Sequence, residues 1–195
     1  MTTRLATVSR ATRETSISVT LCLDGTGESS ISTGIGMLDH LLTSFSRHSR
    51  VDLNLTCTGD LQVDDHHTAE DCALAIGQAI DRALGDRAGI ARFGWAMAPL
   101  DESLARVAVD LSGRPFAVVD LGLTRGAIGQ LAAENVSHVL SSLATAARAT
   151  VHVDVLRGGN DHHRAESAFK AFALALRQAI ARDGSTGVPS TKGSL

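Results

Sequence analysis

The chain has 195 residues, 44% of them hydrophobic, with a net charge of −3 and a mean hydropathy of +0.09. Such a chain can bury a core as one globular unit or as two small fused ones. A pI of about 6.2 provides no basic field for nucleic acid or an anionic membrane. The opening MTTRLATVSRATRETS lacks an apolar segment, and there is no apolar run of about 18 residues. A cytoplasmic protein without signal peptide or membrane helix is expected.

In chain order, TSISVTLCLD alternates as a half-buried strand, and the loop GTGESS leads to a short strand near SISTG. IGMLDHLLTSFSRHS carries apolar residues at helical spacing, VDLNLTCTG alternates again, and Gly59-Asp60 makes a turn. A long helix is expected from Thr68 to Ala83, ended by Gly85 and Gly89 in ALGDRAGI. RFGWAMAPL, ESLARVAVDLS and RPFAVVDL then read as strands, Ile128 to Ala147 as helix, TVHVDVL as strand, and Arg164 to Ala181 as helix. The expected fold is α+β, with each half running β-β-(β)-α-β-α. Antiparallel or mixed sheets carrying helices on one face fit this order. The halves fall at residues 1–86 and 87–184. The remaining 185–195 are rich in Gly, Ser and Thr, and by composition alone read as a frayed end. Cys22, Cys57 and Cys72 are odd in number and flanked by apolar residues, so buried free thiols are expected rather than disulfides or a thiolate site.

An internal repeat carries the chemistry. DDHHTAED returns as NDHHRAES, with His66 and His162 96 positions apart, and HLLTSF at His40 returns as HVLSSL at His138. On a helix His66 and Glu70 share a face, as do His162 and Glu166. Adjacent histidines point about 100° apart, so His67 and His163 are expected to serve different ions from their neighbours. Six histidines and two glutamates then divide into two sites of three His and one Glu each. Imidazole and carboxylate without thiolate leave Zn, Fe, Ni, Co and Mn open. His152 reads as a satisfied strand histidine. His48, beside two arginines, is either a phosphate contact or a solvated helix end. Arg92, Arg114, Lys170 and Lys192 are dispersed candidates for holding an anion, with Arg114 at a tight turn and Lys192 in STKG. Lys170 lies four residues beyond Glu166 and could pair with it.

Over nearly its whole length the sequence resembles the imidazoleglycerol-phosphate dehydratase family, in its monofunctional form. The resemblance rests on LDHLL, DDHHTAEDCALAIGQAI, GIARFGWAMAPLDESL, VDLSGRPF, NDHHRAESAFKAFALALRQAI and VPSTKG, in the family's order and spacing. It implies a duplicated fold of the ribosomal S5 domain 2-like type, two Mn(II) per active site, and a homo-oligomer of 24 subunits built from trimers. The metal ligands it implies are His40, His66, His67, Glu70, His138, His162, His163 and Glu166, the set reached from the repeat. Glu14, His67 and His163 take catalytic roles. The substrate contacts it implies are Glu14, His40, His48, His66, Glu70, Arg92, Arg114, His162, Lys170, Ser190, Thr191 and Lys192, which turns the tail from a frayed end into a substrate contact. The activity implied is loss of water from an imidazolyl glycerol phosphate. The ring, held by Lewis acids, drives out the neighbouring hydroxyl, and Glu14 is the acid/base group. A metal-storage shell would need the same eight ligands without Glu14, Arg92, Arg114 and the PSTKG tail, and a metallohydrolase would use a metal-bound hydroxide on a phosphate ester.

Overall fold

The computed structural model describes residues 3–193 and 195. Two four-stranded sheets of identical topology form from the two halves of the sequence. The first is built by β1 (Leu5–Ala11), β2 (Thr15–Cys22), β3 (Ser29–Ser32) and β4 (Asp52–Gly59), in the order β1-β2-β4-β3. The second is built by β5 (Phe93–Leu100), β6 (Ser103–Asp110), β7 (Phe116–Asp120) and β10 (Thr150–Arg157), in the order β5-β6-β10-β7. Each is mixed: the β1–β2 and β2–β4 pairs are antiparallel and β3–β4 is parallel, and the second sheet repeats this.

The strands alternate because one face is buried. Val19 and Leu21 of β2 and Leu53 and Leu55 of β4 point inward, as do Val107 of β6 and Val153 of β10. Four helices lie on those inner faces: α1 (Gly36–Ser49), α2 (His66–Leu84), α3 (Ala133–Ala146) and α4 (Asp161–Ala179). In α1, Leu38, Leu41, Leu42 and Phe45 make one apolar stripe, and Phe45 stacks on Phe172 of α4 with ring centroids 5.5 Å apart. The helical layers of the two halves meet pairwise, α1 against α4 and α2 against α3. Gly77 permits the second pairing, since a Cβ there would lie 2.5 Å from the Leu143 carbonyl oxygen.

Several expectations are corrected. β1 was not expected, because LATVSRA buries only Ala6 and Val8 and carries polar residues between them. The helix anticipated from Ile128 begins instead at Ala133. Gly129, at φ 61, turns a short hairpin of β8 (Ala127–Ile128) and β9 (Leu131–Ala132) ahead of it. α4 begins at Asp161, so its histidine pair lies within the first turn, where Asn160 caps the helix by accepting from the His162 N–H. Cys22 and Cys57 are half-buried and only Cys72 is buried. His152 stands exposed on the outer face of β10, near Phe116.

The outer faces of the sheets differ in character. Ser16, Ser18, Thr56 and Thr58 face outward on the first. Phe93, Trp95, Met97, Phe116 and Val118 do so on the second, with Trp95 69% exposed. None of the described helices is long and apolar enough to cross a membrane.

Candidate metal centres and anion-binding cluster

Helix pairing across the halves assembles two groups of metal-ligand type. In the first, α2 presents His66 and Glu70 and α3 presents His138; His138 Nε2 is 2.9 Å from Glu70 Oε1, and the His66 and His138 rings stack at 5.0 Å. In the second, α1 supplies His40, and α4 supplies His162 and Glu166. Glu166 Oε2 lies 3.1 Å from His40 Nε2 and 3.2 Å from His162 Nε2. Within each group one donor atom per residue lies within 4.8 Å of the others. Two imidazoles and a carboxylate at this separation fit a divalent cation of intermediate hardness. Burial pushes the Glu166 carboxyl up, yet Lys170, 2.7 Å away, and His40 outweigh it and hold it at about 2. The expected pairing of Lys170 with Glu166 is therefore present.

His67 and His163 lie outside these groups, so one chain brings together two sets of two His and one Glu rather than the three and one expected. Each turns its Nδ1 to a carboxylate, His67 to Asp60 at 3.0 Å and His163 to Glu102 at 2.8 Å. These hydrogen bonds raise both imidazole pKa values. Glu14 sits in the turn between β1 and β2 with its carboxylate 3.8 Å from His67 Nε2. It is half-exposed and unpaired by any cation of Lys or Arg among the described residues, so it is available to a ligand.

Lys170 aside, the anion-binding candidates gather elsewhere. Arg92 grips Asp110 with Nε at 2.7 Å and Nη2 at 3.1 Å, and its Nη1 donates to the Pro189 carbonyl, drawing the tail against the start of β5. Arg114 lies 3.9 Å from the same Asp110, and Gly89 N–H donates to the Gly187 carbonyl. Ser190 Oγ accepts from the Lys192 N–H, so the STKG loop is a built turn and not a frayed end. The eight residues of β5 span roughly 25 Å. They separate Arg92 from the β5–β6 turn where Glu102 meets His163. One chain therefore keeps its anion cluster and its second metal group at opposite ends of one sheet. His48 is half-buried; burial first, and then the Lys170 charge, lower its pKa.

The sequence reading missed Asp60, Glu102, Asp110 and Asn135, the last of which meets His66 Nδ1 at 3.0 Å. Only Glu102 had a signal, because it precedes its second hairpin strand as Glu14 does in the first half.

A duplicated α+β fold with paired His₂Glu groups at helix starts defines a class of metal-dependent enzyme. The profile of the imidazoleglycerol-phosphate dehydratase family matches residues 33–176, and the chain belongs to that family. An imidazoleglycerol-phosphate dehydratase of Phytophthora nicotianae is 60% identical over 98% of this chain, which spans 42% of that protein's length. One of Chlorobium luteolum is 59% identical over 98% of this chain and 96% of its own. The structure of the Staphylococcus aureus enzyme aligns with TM-score 0.82 at 36% identity, covering 91% of this chain and 99% of that one. That from Pyrococcus furiosus aligns at 0.83 and 37%, covering 96% and 100%.

Proposed function

We propose that the chain is a hydro-lyase that converts D-erythro-imidazoleglycerol 3-phosphate to imidazole acetol phosphate and water in histidine biosynthesis, using two Mn(II) per active site. The observation that carries this reading is the pair of His₂Glu groups repeated across the duplication, with Glu14 beside His67. His40, His162 and Glu166 would hold one ion and His66, Glu70 and His138 the other, with His67 and His163 completing them from neighbouring copies. Bound divalent ions supply Lewis acidity to the imidazole ring of the substrate.

The chain's own residues handle position and protons. Arg92, Arg114, Lys170, His48 and the Ser190, Thr191, Lys192 turn hold the phosphate. The C–H to be broken has no neighbouring carbonyl, so its proton cannot leave by a simple enolate route. The hydroxyl beside the ring must depart with a proton, and the adjacent carbon must give one up, leaving an enol that becomes the ketone. Glu14 is the group that moves these protons. Because the anion cluster and the second metal group lie at opposite ends of a sheet, a complete site draws on more than one copy. This supports a homo-oligomer, for which the family resemblance implies 24 subunits built from trimers, and the apolar outer face of the second sheet offers a surface for it.

Incubation of the metal-loaded protein with imidazoleglycerol phosphate is the test. Ketone without free phosphate is the expected product. Free phosphate would indicate a hydrolase, and no turnover a storage shell. Elemental analysis of the purified protein should give close to two divalent ions per chain.

A further inference from the structure

The metal reading leaves unexplained why His67 and His163, the two histidines outside the intrachain groups, are each held by a carboxylate, and by carboxylates that do not correspond in the repeat. The duplication makes this sharp. Glu102 directly precedes Ser103, the first residue of β6, as Glu14 precedes Thr15, the first residue of β2. By inheritance Glu102 should do what Glu14 does, which is to stand 3.8 Å from the far nitrogen of its histidine. Instead it takes Nδ1 of His163 at 2.8 Å. In the first half that contact belongs to Asp60, in the loop 60–65 between β4 and α2. The matching loop in the second half is shortened to 158–160 and carries no carboxylate. The halves thus reach one contact through residues that do not correspond.

Asp60 is placed at a cost. Asp60 is 15% exposed and its Oδ1 is buried with no hydrogen-bond partner, so its one described side-chain partner is His67. Glu102 divides its oxygens. Oε1 accepts from the Gly159 N–H at 3.1 Å and the Asn160 N–H at 2.9 Å, which leaves Oε2 aimed at His163. A carboxylate can only accept, so it requires hydrogen on Nδ1 and leaves the Nε2 lone pair outward. A ligating histidine needs that state, and partners of this kind orient the ring and raise its basicity.

We propose that Asp60 and Glu102 are positioning residues, which fix His67 and His163 with hydrogen on Nδ1 and Nε2 presented to a divalent ion. This rests on the metal reading of the two histidines given above. Glu102→Gln separates the possibilities, because the amide oxygen stays with the two backbone N–H groups and the NH₂ then faces His163. That donor calls for a bare Nδ1 and moves the hydrogen to Nε2, where it blocks ligation. Asp60→Asn is milder, since an amide there can turn its oxygen to His67 and leave its NH₂ where Oδ1 has no partner.

Calorimetric Mn²⁺ titration of the metal-free full chain, its Glu102→Gln, Asp60→Asn and His163→Ala forms, with ¹⁵N spectra of the imidazoles of the metal-free chain, decides the matter. The expected result is one class of site weakened about 10- to 100-fold in Glu102→Gln, with the other class unchanged and a smaller loss in Asp60→Asn. The spectra of the unsubstituted chain should show the neutral His67 and His163 with hydrogen on Nδ1. Hydrogen on Nε2 there overturns the proposal, even if the Glu102 variant does not fold. If His163→Ala takes up Mn²⁺ as the unsubstituted chain does, the ligand role of His163 falls, and the proposal falls with it. If His163→Ala weakens binding and Glu102→Gln does not, the positioning role alone is refuted.

Discussion

Gly77→Ala sets helix propensity directly against packing. On propensity alone the substitution in the middle of α2 should stabilise by about 1 kcal/mol. The structure reverses the sign, because the new Cβ would lie 2.5 Å from the Leu143 carbonyl oxygen, 2.6 Å from Ala146 Cβ and 2.9 Å from the Ala147 nitrogen. Comfortable contact is about 3.5 Å, so α2 and α3 must separate by roughly 1 Å. Two of the three obstacles are backbone atoms, which puts the cost at the upper end of overpacking, about 3 kcal/mol. The net is a loss of about 2 kcal/mol, or roughly 4–8 °C in Tm for a chain of this length. The same separation acts on Glu70 and His138, now 2.9 Å apart across the two helices, so Mn²⁺ affinity should fall in parallel. Thermal unfolding with chelator, at one chain concentration, followed by Mn²⁺ titration, reads both. A Tm that stays level or rises would refute the argument.

Glu14→Gln should lower kcat by about 10²–10⁴-fold while leaving Mn²⁺ uptake and assembly intact; turnover near normal removes Glu14 from proton transfer. Asp24 is held at about 2 by its hydrogen bond from Arg4, against 3.8 for the ordinary group. A depressed carboxyl contributes stability above its unfolded value and loses it as pH falls through the folded one. Asp24→Asn should therefore lower the urea midpoint at pH 7 and flatten the acid limb between about pH 4 and 2. An unchanged acid limb would show that the pair contributes nothing. Arg50 follows α1 in the left-handed region at φ 61, where a Cβ is crowded. Arg50→Gly should raise stability by about 0.5–1 kcal/mol in denaturant unfolding, and a loss would mean the guanidinium makes contacts that outweigh the strain.

Period and turn chemistry made most of the fold readable, and the repeat made it more so. Alternation in TSISVTLCLD and VDLNLTCTG gives strands because one face meets helices, and the stripe Leu38, Leu41, Leu42, Phe45 gives α1. β1 lacked that contrast, although the three strands expected before the helix in the second half called for a strand there in the first. GAIGQLAAE reads as continuous helix until Gly129 adopts positive φ, a backbone state that no periodicity reports. Helical spacing likewise placed His66 with Glu70 and His162 with Glu166. The partners His138 and His40 come from helix crossings, which are tertiary facts. Asp60 and Asp110 were invisible for another reason: in a linear reading, a carboxylate at a turn or strand end is a solubilising residue until a cation or imidazole is seen facing it.

Each His₂Glu group takes its members from both halves, His40 with His162 and Glu166, and His138 with His66 and Glu70. A half-length chain could complete neither group alone. Two identical half-length chains docked about a twofold axis would complete both at once, each lending its single histidine to the other's pair. Joining them through the short segment after α2 turns that encounter into an intramolecular one. Its effective concentration is then on the order of millimolar and no longer depends on how much protein is present. Fusion also frees corresponding positions to take different contacts, as Glu14 and Glu102 do.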